Sequence, residues 1–192
     1  MNNKNSIKDL GLRAKKAASL LANISNDQKN KALNNLKTNL ELHTDELIVT
    51  NKKDIDNAHA NKLSVAIIDR LTLNQDRIKG MIKSLDDIIN LQDPIGKTLS
   101  EWKRPNGLHI KKISVPLGVI GIIYESRPNV TVDASAIAVK AGNAVLLRGG
   151  KDSFHSSQKL NEIINISFSS AGLPDKTVQM VATPDRQAVK EL

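Results

Sequence analysis

Residues 116–151, PLGVIGIIYESRPNVTVDASAIAVKAGNAVLLRGGK, constrain the fold more than any other stretch of the chain. Leu117–Tyr124 is a nearly continuous apolar run, as expected of a strand buried on both faces of a parallel sheet. Thr131–Ala141 reads as a short helix of small residues, and Gly142 suits the left-handed position just past its end. Ala144–Leu147 is the next strand, and Gly149-Gly150 opens the loop that follows. Ser153–Ala171 predicts a longer helix, ended by Gly172 and stopped by Pro174. Thr177–Val181 predicts a third strand, and Gln187–Leu192 begins another helix. Parallel strands joined in succession by helices imply right-handed crossovers, hence an α/β fold with a doubly wound sheet.

The first half follows a different rule. Residues 1–92 carry helical periodicity. Leu10, Leu12, Ala14, Ala17, Ala18, Leu20 and Leu21 fall on one stripe of a first helix. Asn26-Asp27 is placed to cap a second that carries Leu33, Leu36 and Leu40. Gln75–Leu91 predicts a further helix with Ile78, Met81, Ile82, Leu85, Ile88 and Ile89 on its apolar side, and Asp93-Pro94 stops it. From Gly96 to Ser114 the pattern changes to short extended pieces around Arg104-Pro105-Asn106-Gly107, a turn sequence, which predicts a β-hairpin. The single Trp102 is expected to serve packing or a subunit contact.

The net charge of +8 has two readings. Clustered Lys and Arg would suit a polyanion. Here the basic residues are spread through the chain, and Lys abundance accompanies the Asn and Ile of an AT-rich codon bias. Aromatic residues make up 2% of the chain, so no base-stacking platform is available. A nucleic-acid partner is not expected, whereas a basic field that draws in small anions is. The absence of cysteine rules out disulfides and cysteine zinc sites. No apolar stretch is long enough for a membrane span, and the first residues do not resemble a secretory signal, so the expected compartment is the cytoplasm and no membrane partner is expected.

Ligands of an open parallel sheet lie at the carboxyl ends of its strands. Three such ends are expected to share one rim, namely Tyr124–Asn129, Arg148–Lys151 and Ala182–Asp185. In the second, Gly149 and Gly150 would let backbone N–H groups approach an oxyanion, Arg148 and Lys151 would add charge, and the next helix would add its dipole. The alternative is a glycine turn with solvated flanks. In the first, Arg127 could take a phosphate or carboxylate and Asn129 could donate to a developing oxyanion. The alternative there is an Asx-type helix cap by Asn129. His43, His59, His109 and His155 are scattered without metal-ligand spacing, so no metal site is expected. Gly96-Lys97-Thr98 lacks the first glycine of a phosphate-binding P-loop, and no Gly-x-Gly-x-x-Gly occurs.

The stretch from Val115 to Lys151 closely resembles the gamma-glutamyl phosphate reductases, also called glutamate-5-semialdehyde dehydrogenases, of the aldehyde dehydrogenase superfamily. Asp69–Leu73, Asp93–Gly96, Trp102–Leu108 and Ala171–Pro174 resemble that family too. The resemblance implies an aldehyde-dehydrogenase-like α/β architecture in three parts. These are a helical region (1–95) packed on the cofactor domain, a hairpin (96–115) of the oligomerisation element, and the first part of a Rossmann-like NADP-binding domain (116–192). It implies NADPH-dependent reduction of L-glutamyl 5-phosphate to glutamate 5-semialdehyde and phosphate, in proline biosynthesis. A cysteine thiolate would attack the acyl phosphate. Arg148 would meet the 2′-phosphate of NADPH, with Ser126, Gly149, Gly150 and Lys151 in the same pocket and Thr183, Pro184 and Asp185 in the loop before the next cofactor helix. Asn129 would be the catalytic oxyanion amide, and Arg127 would touch substrate. A homo-oligomer, with glutamate 5-kinase as pathway neighbour, is also implied. Members of the family are about twice as long and carry the cysteine in their second half. The chain is therefore expected to be an N-terminal fragment inactive by itself, or else a stand-alone nucleotide-binding module.

Overall fold

The computed structural model describes residues 6–181. Five helices come first: α1 (Ile7–Leu21), α2 (Asn26–Leu42), α3 (Thr44–Ala60), α4 (Val65–Leu71) and α5 (Gln75–Asn90). Side chains just ahead of three of them make the caps. Ser6, Ser25 and Asn74 accept from the N–H groups of Asp9, Gln28 and Arg77, satisfying donors that a helix start leaves open. Ser25, not the Asn26-Asp27 pair, therefore caps α2. In α5 the spacing of Ile78, Met81, Leu85 and Ile88 keeps one face in the core, with Ile82 and Ile89 packed beside it.

The hairpin forms as expected from its turn residues. Strands β1 (Thr98–Lys103) and β2 (His109–Ile113) pair antiparallel, with Trp102 opposite Ile110. Gly107 takes the left-handed conformation at φ +84° and bonds back to Arg104 O. The hairpin stands out from the body, leaving Leu99, Leu108, Ile113 and Trp102 largely exposed.

The sheet is parallel, in the order β3 (Val119–Ile123), β4 (Ala144–Arg148), β5 (Val178–Met180). Helix α6 (Pro128–Lys140) joins the first pair. A single 3-10 turn (Lys151–Ser153) and α7 (Phe154–Ser170) join the second. Strand β4 is buried throughout and alternates by face. Ala144 and Leu146 meet Ile7, Leu10, Ala14, Ala17 and Ala18 of α1. Val145 and Leu147 join the main core with α2, α5, α6 and α7. Layers therefore cover both faces of β4.

Two expectations fail here for physical reasons. Strand β3 is not buried on both faces: Val119 and Ile123 are exposed, because they lie on the face that α1 covers over β4, and α1 leaves an open cleft beside β3. On α1, Leu12 and Leu20 point to solvent, because the helix contacts the sheet through its narrow alanine stripe. The helix expected at Gln187–Leu192 lies outside the described residues.

Candidate functional site

The carboxyl ends of β3 and β4 lie side by side, as parallel pairing of Ile123 with Arg148 requires. Their loops touch. Gly149 packs beneath the ring of Tyr124, where an added Cβ would lie 3.1 Å from the phenol. Gly150 packs on Ser126, where a Cβ would lie 2.7 Å from the Ser126 amide nitrogen. Close approach of one loop to the other thus accounts for both glycines, since Gly150 has an ordinary φ of −64°. Ser126 Oγ donates to Asp152 Oδ2 at 3.1 Å, which ties the first loop to the second. A groove of about 650 Å³ runs over this junction, lined by Ile67, Arg70, Tyr124, Ser126, Arg148, Gly150, Lys151 and Asp152 among others. Arg148 is mostly buried at its edge, with Nη1 donating to Gly149 O at 3.0 Å, while Lys151 is exposed at the lip.

The expected help from the dipole of α7 is already spent inside the protein. Asp54, reaching across from α3 and 2% exposed, accepts from the N–H groups of His155 (3.1 Å) and Ser156 (2.8 Å) and from Ser156 Oγ (2.6 Å). A buried carboxylate there caps the first turn and offsets its positive end. Its neighbour Asn51 donates to Leu71 O and Ser156 Oγ and accepts from Leu73 N, all within 3.0 Å. The buried pair ties the loop after β4 to the Asp69–Leu73 segment. Any anion in this groove must therefore be held by side chains and loop amides, not by the α7 terminus.

Arg127 and Asn129 do not line that groove. They line a second one, of about 570 Å³, between the Asp69–Thr72 segment, α5 and the start of α6. Ser126 and Arg127 thus serve opposite sides of one loop. Asn129 is the second residue of α6 and caps nothing. Its Nδ2 donates to Asp133 Oδ2 at 3.2 Å, and Asp133 Oδ1 accepts from Ser84 at 2.8 Å. Arg77 clamps its own approach segment, bonding Asp69 Oδ1 at 2.7 Å and Thr72 O at 3.0 Å. Among the described residues Arg70 alone lines both grooves. Sequence reasoning quoted its motif without assigning it a site, because its position depends on where α4 docks. Thr183, Pro184 and Asp185 lie outside the described residues.

The electrostatics of the junction are set by burial. Tyr124 is pushed above the ordinary tyrosine range, because burial disfavours the phenolate more than the hydrogen bonds with Thr131 (2.7 Å) and Ser157 favour it. Away from the grooves, burial works against the Asp93 carboxylate. Hydrogen bonds from Lys29 Nζ and the Ile95 N–H outweigh it and hold the group below the usual range. A third cleft of about 950 Å³, mostly apolar, lies at the opposite end of β3 between α1 and residues 113–119. Among the described residues no group of three His, Cys, Asp or Glu stands close enough to hold a metal, and no helix is long and apolar enough to cross a membrane.

Comparison with known proteins fits this geometry. The aldehyde dehydrogenase family model matches residues 2–192. Gamma-glutamyl phosphate reductase of Bartonella henselae is 52% identical over 186 residues, which is 97% of this chain and 45% of that protein. The crystal structure of gamma-glutamyl phosphate reductase from Thermotoga maritima superposes with a TM-score of 0.94 at 36% identity, over 96% of this chain and 44% of that one. The enzyme of the same name from Saccharomyces cerevisiae gives 0.86 at 29% identity, over 92% and 46%. The chain thus spans a little under half the length of the relatives it matches.

Proposed function

The chain belongs to the aldehyde dehydrogenase family, whose members use a nicotinamide cofactor, and on that footing we propose that it forms the N-terminal, cofactor-binding part of a gamma-glutamyl phosphate reductase. The reaction is NADPH-dependent conversion of L-glutamyl 5-phosphate to glutamate 5-semialdehyde and phosphate. The observation that carries this reading is the pair of grooves that meet at the loop after β3, with Ser126 on one side and Arg127 on the other.

The first groove suits a phosphorylated nucleotide. Its described lining carries three cations, Arg70, Arg148 and Lys151, beside loop amides, and of its two carboxylates, Glu125 and Asp152, the second already accepts from Ser126. Arg148 and Lys151 would hold the 2′-phosphate that distinguishes NADPH. Gly149 and Gly150 keep the floor flat, and Asp54 with Asn51 keep it fixed. Thr183, Pro184 and Asp185 would also contact the cofactor. The bound cofactor supplies hydride.

In the second groove Arg127 would hold an anionic end of the substrate. Asn129, its amide oriented by Asp133, would donate to the oxygen that gains charge when the acyl carbon is attacked. No cysteine is present in these 192 residues. In this reading the attacking thiol belongs to a part of the enzyme within the relatives' additional length. The hairpin with Trp102 would build a homo-oligomer, glutamate 5-kinase would be the pathway neighbour, and the cytoplasm would be the compartment. The division at residues 95 and 115 belongs to the same reading.

The test is an assay of the full-length protein in the oxidative direction, which needs semialdehyde, inorganic phosphate and NADP⁺ together. NADPH formation strictly dependent on phosphate is expected, and none from residues 1–192 alone. NADPH binding by residues 1–192 alone, with no phosphate-dependent NADPH formation by the longer protein, would favour the stand-alone module instead.

A further inference from the structure

Three cationic side chains line the second groove, and their partners differ. Arg77 is committed to Asp69 and Thr72. Asp133, the acid on the α6 side, is committed to Ser84 and Asn129. Asp69 and Asp133 are thus both engaged elsewhere. Arg70 has Glu125 at 4.0 Å as its ion pair among the described residues, and both side chains are largely exposed at 52% and 79%. An ion pair that long and that wet contributes little, so it yields readily to a better anion.

We infer that Arg70 binds the phosphoryl group of the acyl-phosphate substrate, and the inorganic phosphate that leaves. The inference rests on the proposed reaction and deepens it. Hydride must pass from a cofactor in the first groove to the acyl carbon of a substrate in the second. That carbon therefore lies where the grooves meet. The phosphoryl group is bonded to the same carboxyl, so it lies there too. Arg70 is the residue that lines both grooves, and a guanidinium fork matches phosphate oxygens. The amino-acid end of the substrate then lies within the second groove, whose lining offers Asp76 for an ammonium and Arg127 for a carboxylate. Glu125 would be displaced by phosphate, with which it competes for the same cation.

The experiment replaces Arg70 in the full-length protein, R70Q and R70K, and measures the oxidative reaction with inorganic phosphate as variable substrate. R70Q is expected to raise KM for phosphate about tenfold or more, the loss of one charge-assisted hydrogen bond. KM for NADP⁺ and for semialdehyde should change by less than about twofold, since neither is bound by that charge. R70K should recover part of the loss. An unchanged KM for phosphate, or an equal rise in KM for NADP⁺, overturns the inference. A second readout needs no turnover: inorganic phosphate should raise the melting temperature of wild type and not of R70Q. Equal stabilisation of both, or of neither, overturns the inference even if the enzyme is active. Stabilisation confined to wild type upholds phosphate binding at Arg70 even where the proposed reaction fails.

Discussion

The two grooves share a wall yet are built by opposite means. The groove over β3 and β4 owes its shape to groups that never touch solvent. Asp54 and Asn51, both 2% exposed, hold the α7 start and the Leu71–Leu73 backbone from below. The groove over α5 and α6 owes its character to polar and charged side chains held by one another, Arg77 on Asp69 and Asn129 on Asp133. A buried scaffold fixes a backbone conformation, as loops that cradle phosphates demand. An exposed polar cluster adjusts at little energetic consequence, which would suit the proposed exchange of substrate for products.

Substitutions can break that contrast, and the largest effect is expected at Asp54. Asp54→Ala leaves two buried N–H groups and a hydroxyl without an acceptor, and should lower stability by about 3 kcal/mol in urea denaturation. A loss below about 1 kcal/mol would mean the carboxylate is not the scaffold described. Next comes Gly150→Ala, whose methyl would press on the Ser126 backbone. About 2 kcal/mol of overpacking is expected, together with weaker NADPH binding measured by calorimetry. Normal affinity would show that the loops need not touch. Arg127→Gln, in the exposed groove, should leave stability within about 0.5 kcal/mol while raising the KM for substrate.

A smaller effect sharpens the comparison at the shared wall. Tyr124 is the single tyrosine, so ultraviolet titration reports it alone. Burial raises its pKa in the folded protein, so its stabilising contribution is complete below the ordinary tyrosine value, about 10, and falls away as pH rises beyond it. Ionisation should therefore come at higher pH in the folded chain than in urea. Thr131→Val, which removes a hydrogen bond that lowers the pKa, should push it higher still. Ionisation at the same pH folded and unfolded would place Tyr124 in solvent.

How much of this the sequence discloses depends on range. The β-α-β unit, helix α5 and the hairpin were legible because each is written in local signals, such as periodicity at Ile78–Ile88 and the turn at Arg104–Gly107. The touching of Gly149 on Tyr124 and Gly150 on Ser126 is within reach once the strands are paired, although paired glycines in such a loop point first to anion approach. The capping of α7 by Asp54 was not legible. The two segments lie 101 residues apart, and an aspartate within a helix normally signals a solvated face. Exposure of β3 is hidden for another reason: an apolar run does not say how far a covering helix such as α1 reaches across the sheet. Arg70 carried no local mark, and only the docking of α4 against the β3 loop brings it between the grooves.

The most direct test of the two-groove arrangement is an amide NMR titration of the chain with NADPH and then with inorganic phosphate. NADPH is expected to move the signals of Ser126 and of Gly149–Asp152, and phosphate that of Arg70, with the Asn51–Asp54 amides unmoved by either. NADPH-induced shifts that fall instead along residues 113–119 and α1, or on no residue of the β3 and β4 loops, would contradict it.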